Sequence, residues 1–203
     1  MNFERFANHI EPLYCGWGGL NAYPRVPLPF IEVLDHVQGM TTPSTMQLIN
    51  HAVRCMEPNE CYLEVGTWRG ATLIGALLGN DARGIAIDND TMDEHDGDAR
   101  SSQDVWHENV ARFGMKDRTH YIDGSVPDVW KHGLSALWGD AGIGVYLFDG
   151  DKSTPEAAYV GLNGVLPFLS RQALIFVDDA NEIPIRRATS KLCATYPKNA
   201  FKI

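Results

Sequence analysis

Glu64-Val65-Gly66-Thr67-Trp68-Arg69-Gly70 follows an apolar run at residues 61–65 and precedes a helical stretch at 71–78. Glycines in such a strand-to-helix turn permit tight backbone geometry and close approach of a ligand to the main chain. Outward from this turn, short apolar runs alternate with helical stretches. Strands are expected at residues 61–65, 84–87, 119–122, 144–148 and 173–177, and helices at 71–78, 102–113, 155–169 and 185–194. A further helix, capped by Thr42 with Pro43 in its first turn, precedes the first strand and should end near Pro58. This alternation predicts an α/β fold, a Rossmann-like doubly wound parallel sheet with helices on both faces.

A chain of 203 residues suits one domain. Residues 1–40 read as an irregular N-terminal arm or lid, punctuated by Gly16-Trp17-Gly18-Gly19 and by Pro24, Pro27 and Pro29; residues 41–203 form the main domain. The net charge is −9 and no Lys/Arg cluster is present, which argues against a nucleic-acid partner. No apolar run approaches the roughly 20 residues of a membrane span, and the first residues carry no secretory pattern, so no membrane partner and a cytoplasmic location are expected. Cys15, Cys55, Cys61 and Cys193 are too scattered for a zinc site and read as free thiols. The seven histidines lack metal-ligand spacing and read as surface or packing residues. Residues 88–98 are strongly acidic; a solvated loop is favoured there over a calcium site, because EF-hand spacing is absent. His95 in that loop could fold over a ligand.

Open parallel sheets bind ligands outside the carboxyl ends of their strands. Here those ends carry Glu64 to Gly70, Asp88-Asn89, Asp123-Gly124-Ser125, Asp149-Gly150-Asp151-Lys152 and Asp178-Asp179. Asp88 lies at the distance from the glycine turn at which a carboxylate accepts hydrogen bonds from ribose hydroxyls. The turn has the spacing ExGxxxG, unlike the GxGxxG of dinucleotide sites, and Glu64 would repel a pyrophosphate. A nicotinamide oxidoreductase is therefore disfavoured. A cationic ligand with an adenosine and an ammonium group suits an acid-rich rim better.

The stretches YLEVGTWRGATL, IAIDND, LFDGDKST and LIFVDDAN resemble class I S-adenosylmethionine-dependent methyltransferases of the small-molecule O-methyltransferase branch, from about residue 39 onward. The resemblance implies that Glu64, Gly66, Thr67 and Gly70 hold the methionine part of S-adenosylmethionine. It places Asp88 and Asn89 at the ribose, Asp123, Gly124 and Ser125 near the adenine, and Asp149 at the cofactor's edge.

Asp149, Asp178 and Asp179 should meet at neighbouring strand ends, where a hard divalent cation such as Mg2+ would relieve their repulsion. The trio resembles the metal site of catechol and caffeoyl-CoA type O-methyltransferases, in which a lysine is the base, here Lys152. It also resembles macrocin-type sugar O-methyltransferases, in which the second aspartate of a DGD segment is the base, here Asp151. Asp179 stands where the catechol type has asparagine. Asp151, Ser153 and Thr154 could alternatively serve only to cap a helix. Trp68 and Trp106 suit either ligand contact or packing.

The expected activity is metal-assisted O-methylation of a hydroxylated small molecule. The alternative keeps the fold as a cofactor-binding or scaffolding protein without catalysis. Members of this branch end in a further strand pair, and only residues 199–203 remain to begin one. The sheet is thus expected to lack its last one or two strands, to be completed by a partner in a homodimer, or to continue beyond the given sequence.

Overall fold

A strand covered on both faces has its side chains enclosed along its whole length, and all six residues of Glu60–Val65, two glutamates included, are buried at the centre of the molecule. The computed structural model describes residues 1–19, 21–89, 100–132, 134 and 142–196. Ahead of the central strand come α1 (Phe3–His9), a short antiparallel ladder of β1 (Tyr14–Cys15) and β2 (Tyr23–Pro24), α2 (Leu28–His36) and α3 (Pro43–Arg54). The main sheet contains β3 (Glu60–Val65), β4 (Arg83–Asp88), β5 (Thr119–Asp123), β6 (Gly142–Phe148) and β7 (Leu169–Val177). Its helices are α4 (Ala71–Leu77), α5 (Ser102–Arg112), α6 (Val126–His132), α7 (Pro155–Gly164) and α8 (Ile183–Thr195). The strands run parallel in the order β5-β4-β3-β6-β7. This is the expected Rossmann-like doubly wound sheet, and the chain reverses its direction of winding beside β3, where such folds open a ligand crevice.

Alternation along β3 divides the core. Tyr62 joins Val33, Met46, Ile49, Leu73 and Trp106 on one face. Leu63 and Val65 join Tyr146, Phe148, Leu162, Ile185 and Leu192 on the other.

Three expectations need correction. Residues 1–40 are not irregular: Pro27 is the N-cap of α2 and a proline occupies its first turn, where the missing N–H costs nothing. Phe30, Val33 and Val37 then pack into the core. The helix after Pro155 stops at Gly164 instead of 169. Pro167 disfavours continuation, residues 166–168 form a single tight turn, and β7 begins at Leu169. The helix after Thr42 ends at Arg54, one turn before Pro58. Its start is as expected, with Thr42 Oγ1 accepting from the Thr45 amide at 3.1 Å.

The four cysteines are free thiols. No helix among the described residues is long and apolar enough to cross a membrane. Residues 90–99, which include His95 and most of the acidic loop, and residues 199–203 lie outside the described residues.

Helix α4 is short, and its last carbonyls need partners from elsewhere. Asn50 of α3 supplies them: its buried Nδ2 donates to the carbonyls of Gly75 at 2.9 Å and Leu78 at 2.7 Å. Asn50→Ala removes these bonds, leaving Gly75 only its long bond from the Leu78 amide at 3.4 Å, and should lower the unfolding free energy by about 2 kcal/mol. Urea denaturation checks this, and a loss below about 0.5 kcal/mol would contradict it.

Candidate active site

Strand register decides which residues meet at the carboxyl edge. Val65 is level with both Ile87 and Phe148, and Phe148 is level with Val177. The residues that follow, Gly66, Asp149 and Asp178, therefore emerge side by side. Asp88 and Asp123 are level at the ends of β4 and β5. Backbone bonds lock these turns together: Asp149 N–H donates to the Val65 carbonyl at 2.9 Å, Asp178 N–H to Phe148 at 3.0 Å, and Gly124 N–H to Asp88 at 2.8 Å.

Gly66 has φ +81°, and a Cβ on it would stand 2.1 Å from the Asp149 carbonyl oxygen. Only glycine meets both conditions. Gly70 has φ +86°, and its missing Cβ leaves room for the Trp106 ring, which would otherwise be 2.8 Å away. Trp106 is thus a packing residue, fully buried and edge-on to Tyr121 at 5.2 Å. Between the glycines, Trp68 holds φ +46°. Its amide donates to Asp88 Oδ2 at 2.6 Å, and the Asn89 amide donates to Oδ1 at 2.8 Å. Asp88 therefore closes the turn while remaining partly exposed.

Glu64 is 2% exposed. Burial raises its carboxyl to about 8; the Tyr62 and Thr67 hydroxyls oppose the rise, and the charges of Asp149 and Asp88 add to it. Tyr62, two residues earlier on the same strand face, donates from its hydroxyl to Glu64 Oε2 at 2.6 Å. The sequence reading omitted Tyr62, although the i, i+2 spacing in a strand is the signal that would have found it.

Asp149, Asp178 and Asp179 converge, with one oxygen of each within 4.8 Å of the others. Lys152 reaches into this group. Its ammonium pairs with Asp149, with Asp179 Oδ2 at 2.6 Å and, more distantly, with Asp178 Oδ2 at 3.7 Å. Burial pulls the Lys152 amine down, but the hydrogen bonds and charges of Asp149 and Asp179 outweigh it and hold the amine above its ordinary value. It is therefore an ammonium at neutral pH. Burial raises Asp149 to about 6, against the opposing pull of Lys152. Three carboxylates are also a donor set that suits a hard divalent cation, so the residues fit either charge.

Asp151 lies outside this cluster. It is exposed, and its Oδ1 accepts from the Ser153 amide at 2.8 Å. Hydrogen bonds from Ser153 hold its carboxyl below the usual range. Thr154 caps α7, with Oγ1 accepting from the Ala157 amide at 3.1 Å. Ser125 sits at the start of α6 and donates to Asp128 Oδ2 at 2.5 Å. Near the cleft, Arg69 is buried and donates to Gln38 Oε1 at 2.6 Å, a contact across 31 positions that no local pattern signals.

The same architecture occurs in solved structures. An O-methyltransferase from Bacillus cereus in complex with SAH superimposes with a TM-score of 0.61 at 15% identity, over 83% of this chain and 79% of that one. A cofactor-bound protein from MTB gives 0.59 at 18% identity, over 84% and 78%. An rRNA methylase from Streptococcus thermophilus gives 0.53 at 11% identity, over 79% and 84%. These likenesses establish the fold and leave the acceptor open. No curated protein matches the sequence. The family model described as a methyltransferase domain matches residues 63–180, which is more than half of the chain and contains every turn of the carboxyl edge described above. The chain belongs to this methyltransferase family, as an S-adenosylmethionine-dependent enzyme of class I.

Proposed function

We propose that the protein transfers the methyl group of S-adenosylmethionine to a hydroxyl oxygen of a small molecule. The observation that carries this reading is the acidic carboxyl edge itself. A buried Glu64 and Asp88, which accepts from the Trp68 amide, flank the Gly66 turn, with Asp149, Asp178 and Asp179 alongside. A ligand bearing both a ribose and positive charge is matched to such an edge. Glu64, Gly66, Thr67 and Gly70 take the methionine part of the cofactor, Asp88 and Asn89 the ribose, and Asp123, Gly124 and Ser125 the adenine end. The Bacillus cereus neighbour, an O-methyltransferase, supports oxygen as the acceptor atom. Met1 pairs with Glu60 at the amino end of β3, so the part of the arm assigned to the acceptor side begins near Tyr14, whose hydroxyl donates to the Ser44 carbonyl at the start of α3.

The cofactor supplies a methyl already activated by its sulfonium. The protein's contribution is alignment of the acceptor oxygen and removal of its proton. Asp149, Asp178 and Asp179 would hold a divalent cation, which polarises a bound hydroxyl. Lys152 is the better placed of the two candidate bases, because its amine sits among those carboxylates whereas Asp151 faces solvent in its own turn. As an ammonium it first has to release its proton and its ion pairs. A cation in the same place competes with that ammonium for the same oxygens.

Three outcomes follow. Glu64→Gln removes a carboxyl that has to take up a proton on folding at pH 7, so the variant should melt higher than the parent at that pH while losing at least tenfold in S-adenosylhomocysteine affinity. Equal affinity in calorimetry would contradict the assignment. The pH dependence has a definite sign. A carboxyl raised from 4.5 to about 8 on folding is protonated more readily in the folded state, so its contribution to stability declines from about pH 4.5 to about pH 8. Affinity for the cationic S-adenosylmethionine should rise as the pH approaches the folded value of about 8 and level off above it, and a flat profile between pH 6 and pH 8 would count against Glu64 as its partner. Third, Lys152→Met should bind Mg2+ at least tenfold more tightly than the parent by calorimetry, because the competing ammonium is gone. No binding by either protein would remove the metal from the proposal.

A further inference from the structure

Trp68 holds a left-handed backbone, which a bulky residue adopts only where its surroundings over-determine it. One constraint is the bond from its amide to Asp88. The others act through the next residue. Arg69 is 5% exposed, and its guanidinium donates to Gln38 Oε1 at 2.6 Å while lying 5.3 Å from the centre of the Trp68 ring. Its carbonyl accepts from the buried Asn109 Nδ2 at 2.9 Å, which ties the turn to α5. Gln38 belongs to the segment between α2 and α3. The following residue, Gly39, passes so close to α4 that a Cβ on it would stand 2.4 Å from the Ala71 Cβ. Segment 38–39 and turn 68–71 therefore fit against each other at two adjacent points, one polar and one steric.

We infer that Arg69 is the positioning residue of the cofactor turn, and that Gln38 governs cofactor affinity through it without touching the cofactor. The inference rests on the assignment of residues 64–70 to S-adenosylmethionine. Arg69 is fixed from the arm side by Gln38 and from the α5 side by Asn109, and this holds Trp68 in its left-handed state. The direction of the amides in the turn is fixed with it. Loss of the Gln38 acceptor removes the polar arm-side constraint on Arg69, leaving only the steric one at Gly39, and lets the turn relax toward ordinary backbone angles, so part of the binding free energy is consumed in restoring it. The arm segment is in this way joined to the cofactor turn, 31 positions later in the chain.

The test is S-adenosylhomocysteine affinity by calorimetry for the parent, Gln38→Leu and Gln38→Glu, together with thermal midpoints of the ligand-free proteins. Gln38→Leu should bind about tenfold more weakly, the scale of a charge-assisted hydrogen bond. Its ligand-free midpoint should fall by no more than about 6 °C, the scale of one charge-assisted bond in a chain of this length. Gln38→Glu keeps an acceptor at the same reach and should bind within about twofold of the parent. Amide exchange at residues 66–70 of the ligand-free protein should quicken in Gln38→Leu alone. Parental affinity in Gln38→Leu, or equal losses in the leucine and glutamate variants, would overturn the inference while leaving the cofactor assignment intact. Failure of the parent itself to bind would overturn both. Should Gln38→Leu not fold, Arg69→Lys carries the same test, because an ammonium cannot reproduce the planar contact on Trp68 and the bond to Gln38 together. Undiminished affinity there would be equally decisive against it.

Discussion

The carbonyl of Asp149 touches the backbone of Gly66, with no room for even one methyl group between them. This contact brings the turns after β3 and β6 together at the place where the sheet reverses its winding. It needs glycine for two reasons, a positive φ and the missing Cβ, and the bond from the Asp149 amide to the Val65 carbonyl fixes its register. Once the two turns are joined, parallel pairing with Ile87 and Val177 brings Asp88 and Asp178 to the same rim. The concentration of carboxylates at this edge is thus a consequence of strand register.

Such an edge is costly. Glu64 is almost completely enclosed, and one tyrosine hydroxyl does not replace the water it has lost. Asp149 is raised as well, and it leans on the Lys152 ammonium. The fold encloses these carboxyls at a cost to their ionised forms, and a cationic ligand that favours ionisation recovers part of that cost on binding. Lys152 partly neutralises the other half of the rim. The two halves differ in this respect: among the interactions described, the trio of aspartates has an internal cation and Glu64 is answered by the Tyr62 hydroxyl.

The strands and the glycine turn are legible from sequence because each is a local pattern, a short apolar run followed by residues that only a turn tolerates. The arm is harder to read. Pro27 and Pro29 look like breakers until they are seen at the start of α2, where proline has no bond to lose. The end of α7 is hidden because Val165, Leu166 and Leu169 continue an apolar pattern past Gly164. At the site, the aspartates are legible from their places after the strands. Which of them answers Lys152, and the joining of Arg69 to Gln38, depend on side chains brought together by packing. Asp151 shows the opposite case. It is prominent in the sequence as part of DGD, yet its carboxylate is turned to Ser153 and solvent, away from the cluster.

The central claim is that this carboxyl edge is the S-adenosylmethionine site. A crystal structure of the protein with S-adenosylhomocysteine tests it most directly. The account predicts ribose hydroxyls on the Asp88 carboxylate and the amino-acid portion over the turn between Glu64 and Gly70. A ligand bound elsewhere on the sheet, or one whose ribose makes no contact with Asp88, would contradict it.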